Sequence, residues 1–142
     1  MLSIGDLARQ TGVKVPTIRY YEQMGLMEAA DRTQGNQRRY EPSDRDRLAF
    51  IKHARDLGFT IEAIRELIEL SGHPERPCAH ADEIAARQLD IVRDKIARLK
   101  QLEEELDRMV TTSHGDHVRD CYVIRSLANH GLCAGEHSRE AI

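Results

Sequence analysis

The feature that most constrains this chain is a stretch of 30 residues, Ala81 to Val110, without a single Gly or Pro. Rich in Ala, Leu, Glu, Gln, Lys and Arg, it reads as one helix. At ~1.5 Å rise per residue such a helix is roughly 45 Å long. Positions 85, 88, 92, 95, 99, 102, 106 and 109 follow alternating steps of three and four. They hold Ala, Gln, Val, Lys, Leu, Leu, Leu and Met, so the seam is apolar chiefly in its second half, with Leu89 and Ile96 widening it. A lone helix cannot bury such a stripe. It either folds back on the preceding domain or pairs with a second copy. Pairing fits better, because the N-terminal segment has enough apolar faces to close on itself.

Charged residues make up 32% of the 142-residue chain and aromatics 4%, with no Trp. That balance suits long solvated helices rather than a thick sandwich core. The net charge of −3 excludes a globally basic nucleic-acid binder. Residues 1–57, however, hold ten Lys/Arg against eight Asp/Glu, leaving 11 against 16 for the remainder. This mild asymmetry permits a local DNA face near the N-terminus. No apolar run approaches the roughly 18 residues that would span a bilayer. The opening Met1-Leu2-Ser3-Ile4-Gly5-Asp6 lacks a secretory pattern. The expectation is a cytoplasmic protein without membrane contact, whose thiols stay reduced. Three cysteines cannot all pair within one chain, which makes Cys78, Cys121 and Cys133 candidate ligands or redox groups.

Ahead of the long helix, residues 3–10 read as a short amphipathic helix capped by Ser3, with Ile4, Leu7 and Ala8 on one face. Gly12 supplies the turn, and a second helix runs from about Val15 to Met24 with Pro16 in its first turn. Two short helices joined this way form a helix-turn-helix. The basic run Asp31 to Tyr40, centred on Gly35-Asn36, reads as a hairpin, or wing. A helix from Pro42 to about Leu57 follows, with Ser43 as its expected cap, then one capped by Thr60. Two Pro and a Gly between Ser71 and Pro77 break the chain before the long helix. Past Val110 come a loop, a short helix from about Cys121 to Leu127, and a polar tail.

In a helix-turn-helix the second helix enters the major groove. Thr17, Arg19 and Tyr20 are therefore candidate DNA contacts, with Arg38, Arg39 and Tyr40 of the hairpin gripping flanking backbone. One of Tyr20 and Tyr21 belongs in the core, because Ile18 and Tyr21 share the inward face at i, i+3.

Ile4-Gly5-Asp6-Leu7-Ala8, Thr17-Ile18-Arg19-Tyr20-Tyr21-Glu22, Gly25-Leu26, Arg38-Arg39-Tyr40 and the run Ile51 to Thr60 together resemble the MerR family of bacterial regulators, in order and over essentially the whole chain. The resemblance implies a mainly α fold: a winged helix-turn-helix DNA-binding domain with linking helices (1–75), a long antiparallel coiled-coil dimerisation helix (78–111) and an effector loop, short helix and tail (112–142). It implies a homodimer, not an enzyme, on double-stranded operator DNA between promoter elements spaced too far apart. The effector-bound dimer then bends and untwists that DNA for RNA polymerase, activating metal export or resistance genes.

The candidate effector ligands are Cys78, His114, His117 and Cys121, with Asp116 and Cys133 as further candidates. Thiolate with imidazole suits a divalent ion, Zn²⁺ first and Cd²⁺ or a relative next. Cys78 precedes the long helix and His114 to Cys121 follow it, so antiparallel pairing would bring Cys78 of one subunit to the loop of the other. In the family's zinc, cadmium, lead and mercury branches a cysteine stands where Cys78 does. Cys121 matches the second of two loop cysteines, while Ser113-His114 replaces the first, which argues against a two-thiolate copper(I) site. His130, Cys133 and His137 are a candidate second cluster, and His80 an outlying ligand. The alternative effector mechanism is a thiol-based redox switch at Cys121 or Cys133.

Overall fold

The computed structural model describes residues 1–28, 31–32, 38–112 and 117–133. Helix α1 spans Ile4–Thr11 and opens on a reciprocal cap. Ser3 Oγ accepts from the Asp6 N–H at 3.1 Å, and the Asp6 carboxylate accepts from the Ser3 N–H at 3.2 Å. Those bonds from Ser3, with Arg9 alongside, hold the Asp6 carboxyl below its ordinary range. Gly12 at φ 74° ends the helix in the left-handed region, where a β-carbon is strained. Helix α2, Val15–Gln23, follows at once with Pro16 in its first turn.

Strands β1 (Asp31–Arg32) and β2 (Arg38–Arg39) pair antiparallel, Asp31 opposite Arg39 and Arg32 opposite Arg38. The Gly35-Asn36 turn lies outside the described residues. Helix α3 spans Pro42–Asp56 and α4 spans Ile61–Ser71. Thr60 Oγ1 caps α4, accepting from the Ala63 N–H at 3.1 Å. The cap of α3 is Glu41 rather than Ser43. Pro42, with its preset φ, occupies the first helical turn, and the Glu41 N–H donates to Asp44 Oδ2 at 2.8 Å. Leu7, Ile18, Tyr21, Leu26, Leu48, Ile51 and Ile64 close one core beneath α1 to α4.

Tyr40, expected on the DNA-facing side of the wing, is instead part of that core, with no exposed surface. Its backbone pairs with Leu2 through two bonds of 2.7 Å, and its hydroxyl donates to Glu22 Oε1 at 3.1 Å. Successive residues of an extended chain face opposite ways, and here Tyr40 takes the inward side. It is a rivet between wing, N-terminus and α2. At the same C-terminal end of α2, which carries no basic residue in its last turn, Arg65 of α4 donates to the Met24 carbonyl at 2.5 Å.

Residues Met1–Ile84 and Ala85–Ile142 form two compact units. Helix α5 is one run of 34 residues, Ala79–Thr112, two residues longer at each end than the expected Ala81–Val110. In the second unit a 3₁₀ turn (Val118–Asp120), helix α6 (Tyr122–Ala128) and a second 3₁₀ turn (His130–Leu132) follow. The Leu132 carbonyl accepts from both Arg108, at 3.1 Å, and the Tyr122 hydroxyl, at 3.2 Å, while Arg108 also pairs with the buried Glu105.

The open stripe on α5 differs from the expected seam. Leu89, Val92, Ile96, Leu99, Leu106 and Val110 are exposed, whereas Gln88, Glu105 and Met109 are buried. The exposed positions step by three, four, three, seven and four, a heptad seam interrupted at Glu103.

Replacing Tyr40 by Phe is expected to destabilise the protein by about 1–2 kcal/mol in urea unfolding, the usual worth of such a hydrogen bond. Unchanged stability with weakened operator binding would instead restore Tyr40 to the DNA face.

Candidate nucleic-acid interface and metal-ligating residues

The recognition surface is built by α2. Its inward side carries Ile18 and Tyr21, both buried; its outward side carries Arg19, exposed, and Tyr20, 46% exposed. The Tyr20 ring leans on Tyr21, centroids 5.9 Å apart, so the exposed ring has a fixed support. Thr17 is half-buried in the first turn, its N–H bonded to the Lys14 carbonyl at 2.9 Å. Among the described residues no carboxylate pairs with Arg19, leaving its guanidinium available to phosphate or guanine. Arg39 is half-buried in β2. Arg38 shares that strand, its side chain lying outside what is described.

The positions of the candidate ligands follow from the ends of α5. Cys78 is exposed immediately before the helix, and its carbonyl accepts the Asp82 N–H at 3.0 Å. Its thiol donates to Asp82 Oδ1 at 3.8 Å. His80 lies beside two carboxylates, Nε2 3.7 Å from Glu66 and Nδ1 3.6 Å from Glu83. Beyond the other end, exposed His117 and half-buried Cys121 flank one 3₁₀ turn, in which the Asp120 N–H donates to the His117 carbonyl at 3.0 Å. Cys121 also opens α6, its carbonyl accepting from the Arg125 N–H at 3.0 Å. Cys133 is half-buried after the second 3₁₀ turn. His114, Asp116 and His137 lie outside the described residues.

Among the described residues of one chain, no three His, Cys, Asp or Glu side chains gather as a metal-holding group. Neither the Arg108–Leu132–Tyr122 clamp nor the Arg65–Met24 bond is legible in the sequence. Each joins residues far apart in the chain, and in each the acceptor is a main-chain carbonyl, which no residue type announces.

A helix-turn-helix with a hairpin wing, followed by a long helix with an open apolar stripe, defines a DNA-binding regulator. The chain belongs to the MerR family. The profile described as MerR HTH family regulatory protein matches residues 2–71, and the one described as MerR, DNA binding, matches residues 45–109. The HTH-type transcriptional regulator ZntR of Escherichia coli (strain K12) is 43% identical over 110 residues, covering 77% of this chain and 78% of that protein. Heavy metal-dependent transcription regulator 2 of Rhizobium meliloti (strain 1021) is 35% identical over 128 residues, 90% of this chain and 87% of that protein. The structure of PbrR691 from Ralstonia metallidurans CH34, in complex with lead(II), aligns with a TM-score of 0.75 at 32% identity, covering 89% of this chain and 99% of that one. These relatives are regulators of transcription rather than enzymes. The fold is also that of HiNmlR bound to promoter DNA, with a TM-score of 0.59 at 20% identity over 78% of this chain and 83% of that one.

Arg19→Ala is expected to weaken operator binding by about tenfold, or ~1.4 kcal/mol, and to lower its salt dependence if the contact is to phosphate. Unchanged affinity at two salt concentrations would remove Arg19 from the interface.

Proposed function

We propose that this protein is a homodimeric, metal-responsive activator of transcription that distorts its promoter when a divalent ion joins its two subunits. The observation that carries the reading is the open heptad seam of α5, with Cys78 at one end and His117 and Cys121 beyond the other. Its outermost residues, Leu89 and Val110, are equidistant from a point between residues 99 and 100. In a two-fold antiparallel pair Leu89 then faces Val110 of the partner subunit, and Cys78 stands level with residue 121. The chain leaves α5 at Thr112, about 13 Å short of that level at ~1.5 Å per residue. The segment through His117 to Cys121 can cover such a gap.

The donor chemistry fits a borderline divalent cation. Cys78 with Cys121 and His117 of the partner subunit gives two thiolates and an imidazole, a set suited to tetrahedral Zn²⁺ and next to Cd²⁺. His114 and Asp116 are further donors from the same loop, and Cys133 remains a candidate. A bound ion would supply a bridge between subunits, with two sites per dimer. The relatives named for heavy metals, mercury resistance and lead(II) support metal response as the class.

The rest of the chain converts that bridge into work on DNA. Two α2 helices, set apart by the paired α5 helices, enter successive major grooves through Thr17, Arg19 and Tyr20, while Arg38 and Arg39 hold flanking phosphates. Bending or untwisting the intervening duplex costs a few kcal/mol or more, which the phosphate contacts must offset. The distorted promoter then presents both its elements to RNA polymerase. Among the described residues no helix is long and apolar enough to cross a membrane, and the protein is proposed to act in the cytoplasm on genes for metal export or resistance.

Leu99 is 47% exposed at the seam's centre, so Leu99→Glu should spare each subunit's own core. Sedimentation is expected to show a monomer, with operator affinity reduced at least about 100-fold as avidity is lost. Promoter transcription by the unaltered protein should rise with Zn²⁺ and Cd²⁺ and not with Cu⁺. A Leu99→Glu dimer with full affinity, or induction by oxidant in place of metal, would refute the reading; the second result would favour a thiol switch.

A further inference from the structure

Cys78 is followed one helical turn later by Asp82, and the first backbone bond of α5 ties the two together, Asp82 N–H to Cys78 carbonyl at 3.0 Å. Residues four apart lie on one face of a helix. Here that places Cys78 Sγ and Asp82 Oδ1 3.8 Å apart. A tetrahedral Zn²⁺ with Zn–S ~2.3 Å and Zn–O ~2.0–2.2 Å holds its sulfur and oxygen ligands roughly 3.5–3.7 Å from each other. The pair thus stands within a few tenths of an ångström of the bite that one ion would impose.

Nothing among the described residues competes for the carboxylate. No Lys, Arg or His pairs with Asp82, and its side chain has the Cys78 thiol as its contact. The nearby His80 lies beside Glu66 and Glu83. The two thiolates and one imidazole named above also leave one corner of a tetrahedron to fill.

We propose that Asp82 is a metal ligand, so that each subunit presents Cys78 and Asp82 as a two-donor jaw to the His117 and Cys121 side of its partner. The proposal rests on the metal-sensing reading and sharpens it. A carboxylate oxygen in place of a further thiolate favours Zn²⁺ and Co²⁺, and gives nothing to Hg²⁺ or Cu⁺, which select soft sulfur.

The test uses the full-length dimer and its Asp82→Asn and Asp82→Ala variants, with helix content checked by circular dichroism. Zn²⁺ affinity is measured by chelator competition and Co²⁺ binding by absorption. Both variants are expected to lose at least about 10–100-fold in Zn²⁺ affinity, the loss that even groups merely orienting a ligand produce. The Co²⁺ ligand-field bands should change while the sulfur-to-cobalt charge-transfer band persists, and Hg²⁺ affinity should stay within about threefold. Variants that match the unaltered protein in Zn²⁺ affinity and Co²⁺ spectrum would overturn Asp82 as a ligand and leave the metal site standing. Absence of the charge-transfer band in the unaltered protein would overturn thiolate ligation itself, and the jaw with it.

Discussion

An apolar stripe with no cover is the constraint on which the account depends. Burying a Leu, Ile or Val side chain contributes about 1.5–3 kcal/mol, and α5 leaves seven of them exposed, six along this stripe. Pairing of two such helices satisfies that stripe, and its symmetry dictates what else meets. In the proposed dimer, head-to-tail helices would set two DNA-reading modules apart and would carry a thiol from one subunit to the histidine-bearing turn of the other. Operator geometry and metal capture would then be consequences of one interface, so a change in either would be felt through α5.

The N-terminal module is tied together by contacts between distant residues. Its recognition helix is fastened at its C-terminal end by two contacts from elsewhere in the chain. Tyr40 ties α2 to the wing through Glu22, and Arg65 ties the Met24 carbonyl to α4. Helix α4 in turn leads through Gly72 and Pro77 to the head of α5. Glu66, on α4, and His80, in the first turn of α5, are 3.7 Å apart. Within the N-terminal unit, α2, α4 and the first turn of α5 are thus joined by side-chain contacts.

Much of this was legible in the sequence, where local chemistry decides the outcome. The Ser3 and Thr60 caps, Gly12, Pro16 and the inward placement of Ile18 and Tyr21 all follow from rules acting within four residues. The misplacements arise where the deciding partner is distant. Tyr40 stands in a basic run and reads as a DNA contact, but Leu2 and Glu22 claim it for the core. On α5 the periodicity merges two faces. Gln88 and Met109 fit the same three-and-four spacing as Val92 and Leu99, yet the former pair is buried and the latter open. A pattern of apolar positions cannot separate a face used within the chain from one kept for a partner. For the candidate ligands, residue type and order were readable, whereas the proximity of Asp82 to Cys78 required coordinates.

The most direct test of the central claim is the Zn²⁺ stoichiometry of a mixed dimer, purified from differently tagged Cys78→Ser and Cys121→Ser subunits. Antiparallel sharing leaves one of its two sites with both thiols, so one tightly bound Zn²⁺ per mixed dimer is expected and none in either homodimer of variants. A mixed dimer that binds no tighter than those homodimers would contradict the shared site, since ligands drawn from a single chain would be broken in both halves.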